Sequence, residues 1–119
     1  FLGPRTDSAA IGYLAPELLE DPAADPRQYT DVYGLGLILY ELLSGQSAFQ
    51  ATTAEDMTEE VLRRDPPPPS QFNPAVTDYL DAVCMKCLRK KPWRRYTRTF
   101  DFVKRLKEFQ VDPAVVGRS

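Results

Sequence analysis

Cys84 and Cys87, separated by two residues, have the spacing best suited to metal or redox chemistry in this 119-residue chain. A Cys-x-x-Cys pair supplies half of a tetrahedral zinc site or one redox dithiol. The chain has only these two cysteines and no histidine, so nothing completes a metal site. Leu80, Val83, Cys84, Cys87 and Leu88 repeat at helical spacing, and the pair reads as core side chains on one helix. With so few cysteines a disulfide framework is not expected, and a reducing cytoplasm fits best.

The stretch Arg89-Lys90-Lys91-Pro92-Trp93-Arg94-Arg95-Tyr96 places aromatic rings beside cations, as nucleic-acid platforms do. Against that use, 15 Lys and Arg face 17 Asp and Glu, a net charge of -2. Such a balance provides no overall field toward nucleic acid or an anionic membrane, so the stretch reads as a solvated face with one structural arginine. Pro66 to Pro69 has the composition of a ligand for aromatic grooves, but a short proline run is first a rigid loop.

The elements that must position these residues follow from pattern. Phe1 to Ile11 mixes Gly, Pro, Arg, Thr, Asp and Ser without apolar periodicity and predicts loop. Tyr13 to Glu20 predicts one short helix, with Pro16 tolerated in its first turn. The next helix is expected from Thr30 as N-cap, with Asp31 in the first turn and Gly45 as the stop. Its apolar residues between Val32 and Leu43 cover every side, which predicts burial all round. That stretch is broken by glycines and Glu41 and is shorter than the roughly 20 residues of a membrane span. Gly34 and Gly36 weaken a helix interior, so each is expected to admit another backbone.

A surface helix is predicted over about Thr53 to Arg64, contacting the core through Met57, Val61 and Leu62. The four prolines that follow predict an extended connection. Thr77 should cap the helix carrying the cysteines, which ends before Pro92. The last helix should start near Thr97 or Thr99 and bury Phe102, Val103, Leu106 and Phe109. No window alternates long enough for a trustworthy strand, so the fold class is all-α. The chain opens on Phe1 without a leader pattern, and its natural start is expected further upstream.

Three segments together carry a family resemblance. Tyr13-Leu14-Ala15-Pro16-Glu17 resembles the A-P-E signature that closes the activation segment of protein kinases. Asp31 through Gly45 resembles the central helix of the kinase C-lobe, and Cys87 through Arg95 resembles the later C-L-x-x-x-P-x-x-R signature. They occur in family order between Ser8 and Phe109, and the proline run before Asn73-Pro74-Ala75-Val76 is similar to bacterial Hanks-type serine/threonine kinases.

The resemblance implies the helical C-lobe of a kinase domain, with residues 1–12 closing the activation segment, 13–110 forming the lobe and 111–119 a tail or linker. It implies a Glu17–Arg95 ion pair and an anchoring role for Asp31 toward the catalytic loop. It also implies a substrate-side platform at Ala10, Ile11, Gly12 and Tyr13. Thr6 and Ser8 fall where activation-loop phosphorylation occurs, although both also suit ordinary loop hydroxyls. The family shows G-T-x-x-Y where this chain has Ala9-Ala10-Ile11-Gly12-Tyr13, so a hydroxyl is lost at Ala10.

Kinase chemistry needs a glycine-rich loop, a strand lysine, H-R-D and D-F-G to hold MgATP and accept a proton. None is present in this sequence: there is no histidine, Asp101-Phe102 continues to Val103, and Gly34-x-Gly36 lacks the third glycine. The resemblance therefore implies ATP and Mg²⁺ for the parent kinase and no cofactor held by this segment alone. Its implied partners are a protein substrate and the N-terminal part of the kinase domain. The alternative is a non-catalytic, pseudokinase-like binding module.

Overall fold

The computed structural model describes residues 8–21, 23 and 27–110. Among these residues six helices run in chain order: α1 Ser8–Ile11, α2 Pro16–Glu20, α3 Gln28–Ser44, α4 Ala54–Arg63, α5 Asp78–Cys87 and α6 Thr99–Gln110. Two 3₁₀ turns, Pro69–Gln71 and Pro92–Arg94, complete the regular structure, and no strand occurs among the described residues. No helix among them is long and apolar enough to cross a membrane.

α3 is the axis on which the other elements pack. On one side Tyr33, Leu37 and Tyr40 join Ile11, Met57, Val61, Cys84 and Leu88 in the larger core. On another, Val32 meets Val83, Cys87, Tyr96 and Phe102. α5 lies against α3 so closely that a Cβ on Gly36 would sit 2.5 Å from Cys87 Cβ. Only glycine allows that approach without displacing backbone. Both cysteines are free and buried. Cys84 Sγ lies 3.6 Å from the Gly36 carbonyl oxygen, to which it donates. Burial, with Asp81 adding negative charge, pushes the Cys84 thiol up to about 12, so it is held as an inert core group.

Local signals set most boundaries. Pro16 occupies the first turn of α2, and Gly45 ends α3 in the left-handed region at φ 77°. Thr53 and Thr77 cap α4 and α5, their hydroxyls accepting from Asp56 N and Leu80 N. The proline run is tied to α3 from both ends: Tyr40 Oη donates to Pro67 O at 2.6 Å and Asn73 Nδ2 to Leu43 O at 2.8 Å. Pro69 already belongs to a 3₁₀ turn.

Several expectations are corrected. Ser8–Ile11 forms a helical turn where loop was predicted, because it packs on α4. α3 starts at Gln28, so Thr30 is its third residue and Arg27 its N-cap. Burial of α3 is not all-round: Leu35, Ile38 and Leu42 are 37%, 54% and 77% exposed. Gly34 has nothing within 4 Å of a Cβ placed on it, unlike Gly36. In α6, Phe102 is buried, whereas Val103 is exposed. The Phe109 side chain, Thr6 and the 111–119 segment lie outside the described residues.

Candidate functional site

Among the described residues, a fully hydrogen-bonded polar group joins α2 to the loop after α5. Glu17 sits in the first turn of α2, a position that Pro16 favours by presetting the backbone. Arg95 immediately follows the Pro92–Arg94 turn, which directs its side chain inward until it is fully buried. Arg95 Nη1 donates to Glu17 Oε2 at 2.9 Å and Nη2 to Glu17 Oε1 at 2.8 Å, a two-pronged contact that lysine cannot make.

The remaining donors are also taken. Nε donates to Arg89 O at 2.7 Å, Nη1 to Tyr29 O at 2.9 Å and Nη2 to Lys90 O at 3.3 Å. A guanidinium has five N–H donors, and each here has an acceptor. Its Cζ also lies 4.8 Å from the centre of the Tyr33 ring. Thr30 Oγ1 donates to Glu17 Oε2 at 2.8 Å, so the third residue of α3 enters the same network. Burial works to raise the Glu17 carboxyl, but hydrogen bonds from Arg95, its own backbone and Thr30, with the Arg95 charge, hold it below its usual value. A group so fully committed positions the chain and has nothing left for proton transfer.

Beside this clamp, residues 8–13 form a shelf against α3 and α4. Ile11 is buried in the core, while Ser8 and Ala10 are half-buried. A Cβ on Gly12 would lie 3.3 Å from Met57 Sδ, which fixes how closely the shelf rests on α4. Tyr13 is 52% exposed, and its hydroxyl donates to Glu41 Oε2 at 2.5 Å. That hydrogen bond, followed by partial burial and the Glu41 charge, raises the Tyr13 phenol. Ser8, Gly12, Tyr13, Glu41, Phe49 and Met57 are among the residues lining a cleft of about 220 Å³ here.

Asp31 follows Thr30 but takes no part in the clamp's hydrogen bonds. It is exposed in the first turn of α3, and its carboxylate makes no hydrogen bond among the described residues. It lines a shallow, largely apolar cleft of about 580 Å³ with Tyr13, Thr30, Gly34, Leu35 and Ile38. The structure thus brings Glu17 and Arg95 together, places Ala10 to Tyr13 on the neighbouring shelf and sets Asp31 outside the hydrogen-bonded clamp, in a cleft that it shares with Tyr13 and Thr30.

Thr30, the Tyr29 carbonyl and Glu41 are participants that sequence reasoning did not find. Tyr13 and Glu41 are 28 residues apart, and no local pattern links them. Thr30 next to an acidic residue gave a capping signal, and its hydroxyl does accept from Arg27 N at 3.4 Å. Its second bond, to Glu17, depends on tertiary approach. Lys90 was also overlooked: burial, reinforced by Arg95 and Arg64 and partly offset by Asp65 and Glu60, lowers its ammonium to about 8.

The family model of the protein kinase domain matches residues 4–108. The chain is 40% identical over 92 residues to serine/threonine-protein kinase PknB of Mycobacterium leprae, covering 75% of this chain and 14% of that protein. The PknB of Mycolicibacterium smegmatis is 41% identical over the same shares. PrkC of Bacillus subtilis, a serine/threonine-protein kinase, is 29% identical across 77% of this chain and 14% of its own length. The fold is similar to the twitchin kinase region from C. elegans, with a TM-score of 0.68, 23% identity, and coverage of 85% of this chain and 17% of that one. The chain therefore spans about 14% of the length of the curated relatives it matches.

Proposed function

This chain belongs to the protein kinase domain family, and from that premise we propose that it forms the helical floor on which a serine/threonine kinase presents its protein substrate. The observation that carries the reading is the fully satisfied Arg95 guanidinium. By binding Glu17 and the carbonyls of Tyr29, Arg89 and Lys90, it joins α2, α3 and the loop after α5. The end of the activation segment is thereby fixed in one orientation beside the shelf of Ala10, Ile11, Gly12 and Tyr13.

The family's chemistry uses ATP and Mg²⁺, and the motifs that hold them are not in this sequence. In this reading the chain supplies orientation, which contributes to rate by holding the substrate hydroxyl near its reaction geometry. The exposed Leu35, Ile38 and Leu42, with the uncommitted Asp31 carboxylate, form the face that receives the rest of the kinase domain. An exposed apolar patch on a central helix is the expected mark of such a covered surface. In this reading residues 1–12 close the activation segment, 13–110 form the lobe, 111–119 serve as a tail or linker, and the kinase portion works in the cytoplasm. Phosphorylation at Ser8 would act by adding charge on this shelf, and Thr6 is proposed as a second site on the sequence alone.

The test is phosphate transfer from labelled ATP to a serine/threonine peptide library by the full-length protein carrying this chain. Transfer is expected, with kcat/KM at least tenfold lower for Arg95→Lys and the KM for ATP unchanged, and none is expected from the 119-residue chain alone. Transfer by the isolated chain would refute the positioning role. The alternative reading rests on Ala10, which replaces the hydroxyl of the family pattern. A full-length protein that binds its partners but transfers no phosphate would establish that non-catalytic reading instead.

A further inference from the structure

Net charge conceals a segregation of charge along one edge of the molecule. From Arg89 to Phe100 there are six cations and no Asp or Glu. The structure divides those cations by direction. Arg95 is spent on Glu17, and Lys90 Nζ donates to Glu60 O at 3.4 Å and lies over the Phe49 ring. Arg89, Lys91, Arg94 and Arg98 remain exposed. Two large aromatic residues stand out among them, Trp93 at 73% and Phe100 at 64% exposure. Lys91 Nζ lies 5.6 Å from the centre of the Trp93 ring, and Arg98 Cζ lies 5.7 Å from that of Phe100. Arg98 shares its charge with Asp101 across loose 3.4 Å contacts.

Among the described residues, Lys91 and Arg98 are the ring contacts of Trp93 and Phe100. Trp93, Arg94, Arg98 and Phe100 line none of the clefts around Tyr40, Tyr13, Tyr96 or Asp31. Arg95, Tyr96, Thr97 and Thr99 of the same stretch do line two of these clefts, so the exposed rings and cations form the outer rim of the edge rather than a socket wall. A bilayer needs no socket: tryptophan settles at the headgroup level, and arginine and lysine above it meet lipid phosphates. We propose that the Arg89–Phe100 edge docks peripherally on an anionic phospholipid surface, with Trp93 and Phe100 inserted and Lys91, Arg94 and Arg98 held at the headgroups. The overall charge of -2 does not oppose this, because beyond a Debye length of about 10 Å at 0.1 M salt the acidic residues elsewhere are screened.

Trp93 is the only tryptophan, so its emission reports this edge alone. The full chain is titrated with vesicles of phosphatidylcholine, with or without about one-third phosphatidylglycerol, and binding is also read by sedimentation. The expected result is a blue shift with anionic vesicles only, quenched by lipids brominated in the acyl chain and lost in 1 M salt. Each cation contributes about fivefold, so the reversal Arg94→Glu should weaken partitioning about 25-fold. Arg98→Glu serves as the second variant, and unchanged helical circular dichroism shows that both still fold. Equal binding to neutral vesicles would overturn the proposal. So would binding abolished by Leu42→Ser but not by Arg94→Glu, since the open face of α3 would then be the adsorbing surface. An equal Trp93 shift with soluble polyglutamate and no quenching by brominated lipid would assign the edge to an acidic polypeptide instead.

Discussion

Gly34 and Gly36 stand two residues apart on α3 and meet opposite surroundings. At Gly36 a neighbouring helix presses to within 2.5 Å of a would-be Cβ, whereas at Gly34 nothing lies within 4 Å. The same contrast runs along the helix. Tyr33, Leu37 and Tyr40 are buried, and Leu35, Ile38 and Leu42 are exposed, although the exposed set is the purely aliphatic one. Composition of this helix therefore does not report which of its sides the chain covers itself. The closed side also carries the Arg95 clamp, which stacks on Tyr33.

The largest expected effect comes from breaking that clamp. Arg95→Met leaves the partly buried Glu17 carboxylate without its cation and should cost about 3 to 5 kcal/mol, read as a lower denaturant midpoint. The clamp also has a pH signature. The folded Glu17 carboxyl lies below its ordinary value of 4.5, so its contribution is fully present above that pH and is lost as pH falls through the folded value. Thermal melts at pH 6 and below 4.5 should show a smaller acid loss for Glu17→Gln than for the wild type.

The two glycines give the next tests. Gly36→Ala forces its methyl against Cys87 Cβ, and the overpacking should cost about 1 to 3 kcal/mol despite better helix propensity. Gly34→Ala meets no neighbour and should stabilise the isolated chain by up to about 1 kcal/mol in the same denaturation experiment. Opposite signs from one substitution would express the two-sided character of α3 in solution. Equal signs would mean that α5 does not approach the helix as described.

The sequence was most legible where a signal is local. Pro16, Gly45, Thr53 and Thr77 mark helix ends because each acts on its own turn. The family motifs led to the Glu17–Arg95 pair across 78 residues, something that periodicity alone could not supply. Tertiary support was not legible. Ser8–Ile11 has the composition of loop and becomes helical through packing on α4. Thr30 looked like a cap because a hydroxyl before an acidic residue commonly is one, but its Oγ1 also bonds Glu17 and the helix begins at Gln28. An apolar run likewise cannot declare which of its sides the chain itself will cover, and this is why Leu35, Ile38 and Leu42 were read as buried.

The most direct test of the account is hydrogen–deuterium exchange of the amides between Ser8 and Asp21, compared between wild type and Arg95→Lys. If Arg95 fixes this segment to the core, the substitution should speed exchange there at least tenfold, from Gly12 N bonded to Ser8 O through Asp21 N bonded to Glu17 O, while α5 stays protected. Unchanged protection from Ser8 to Asp21 in a folded Arg95→Lys protein would contradict the claim that this clamp positions the segment.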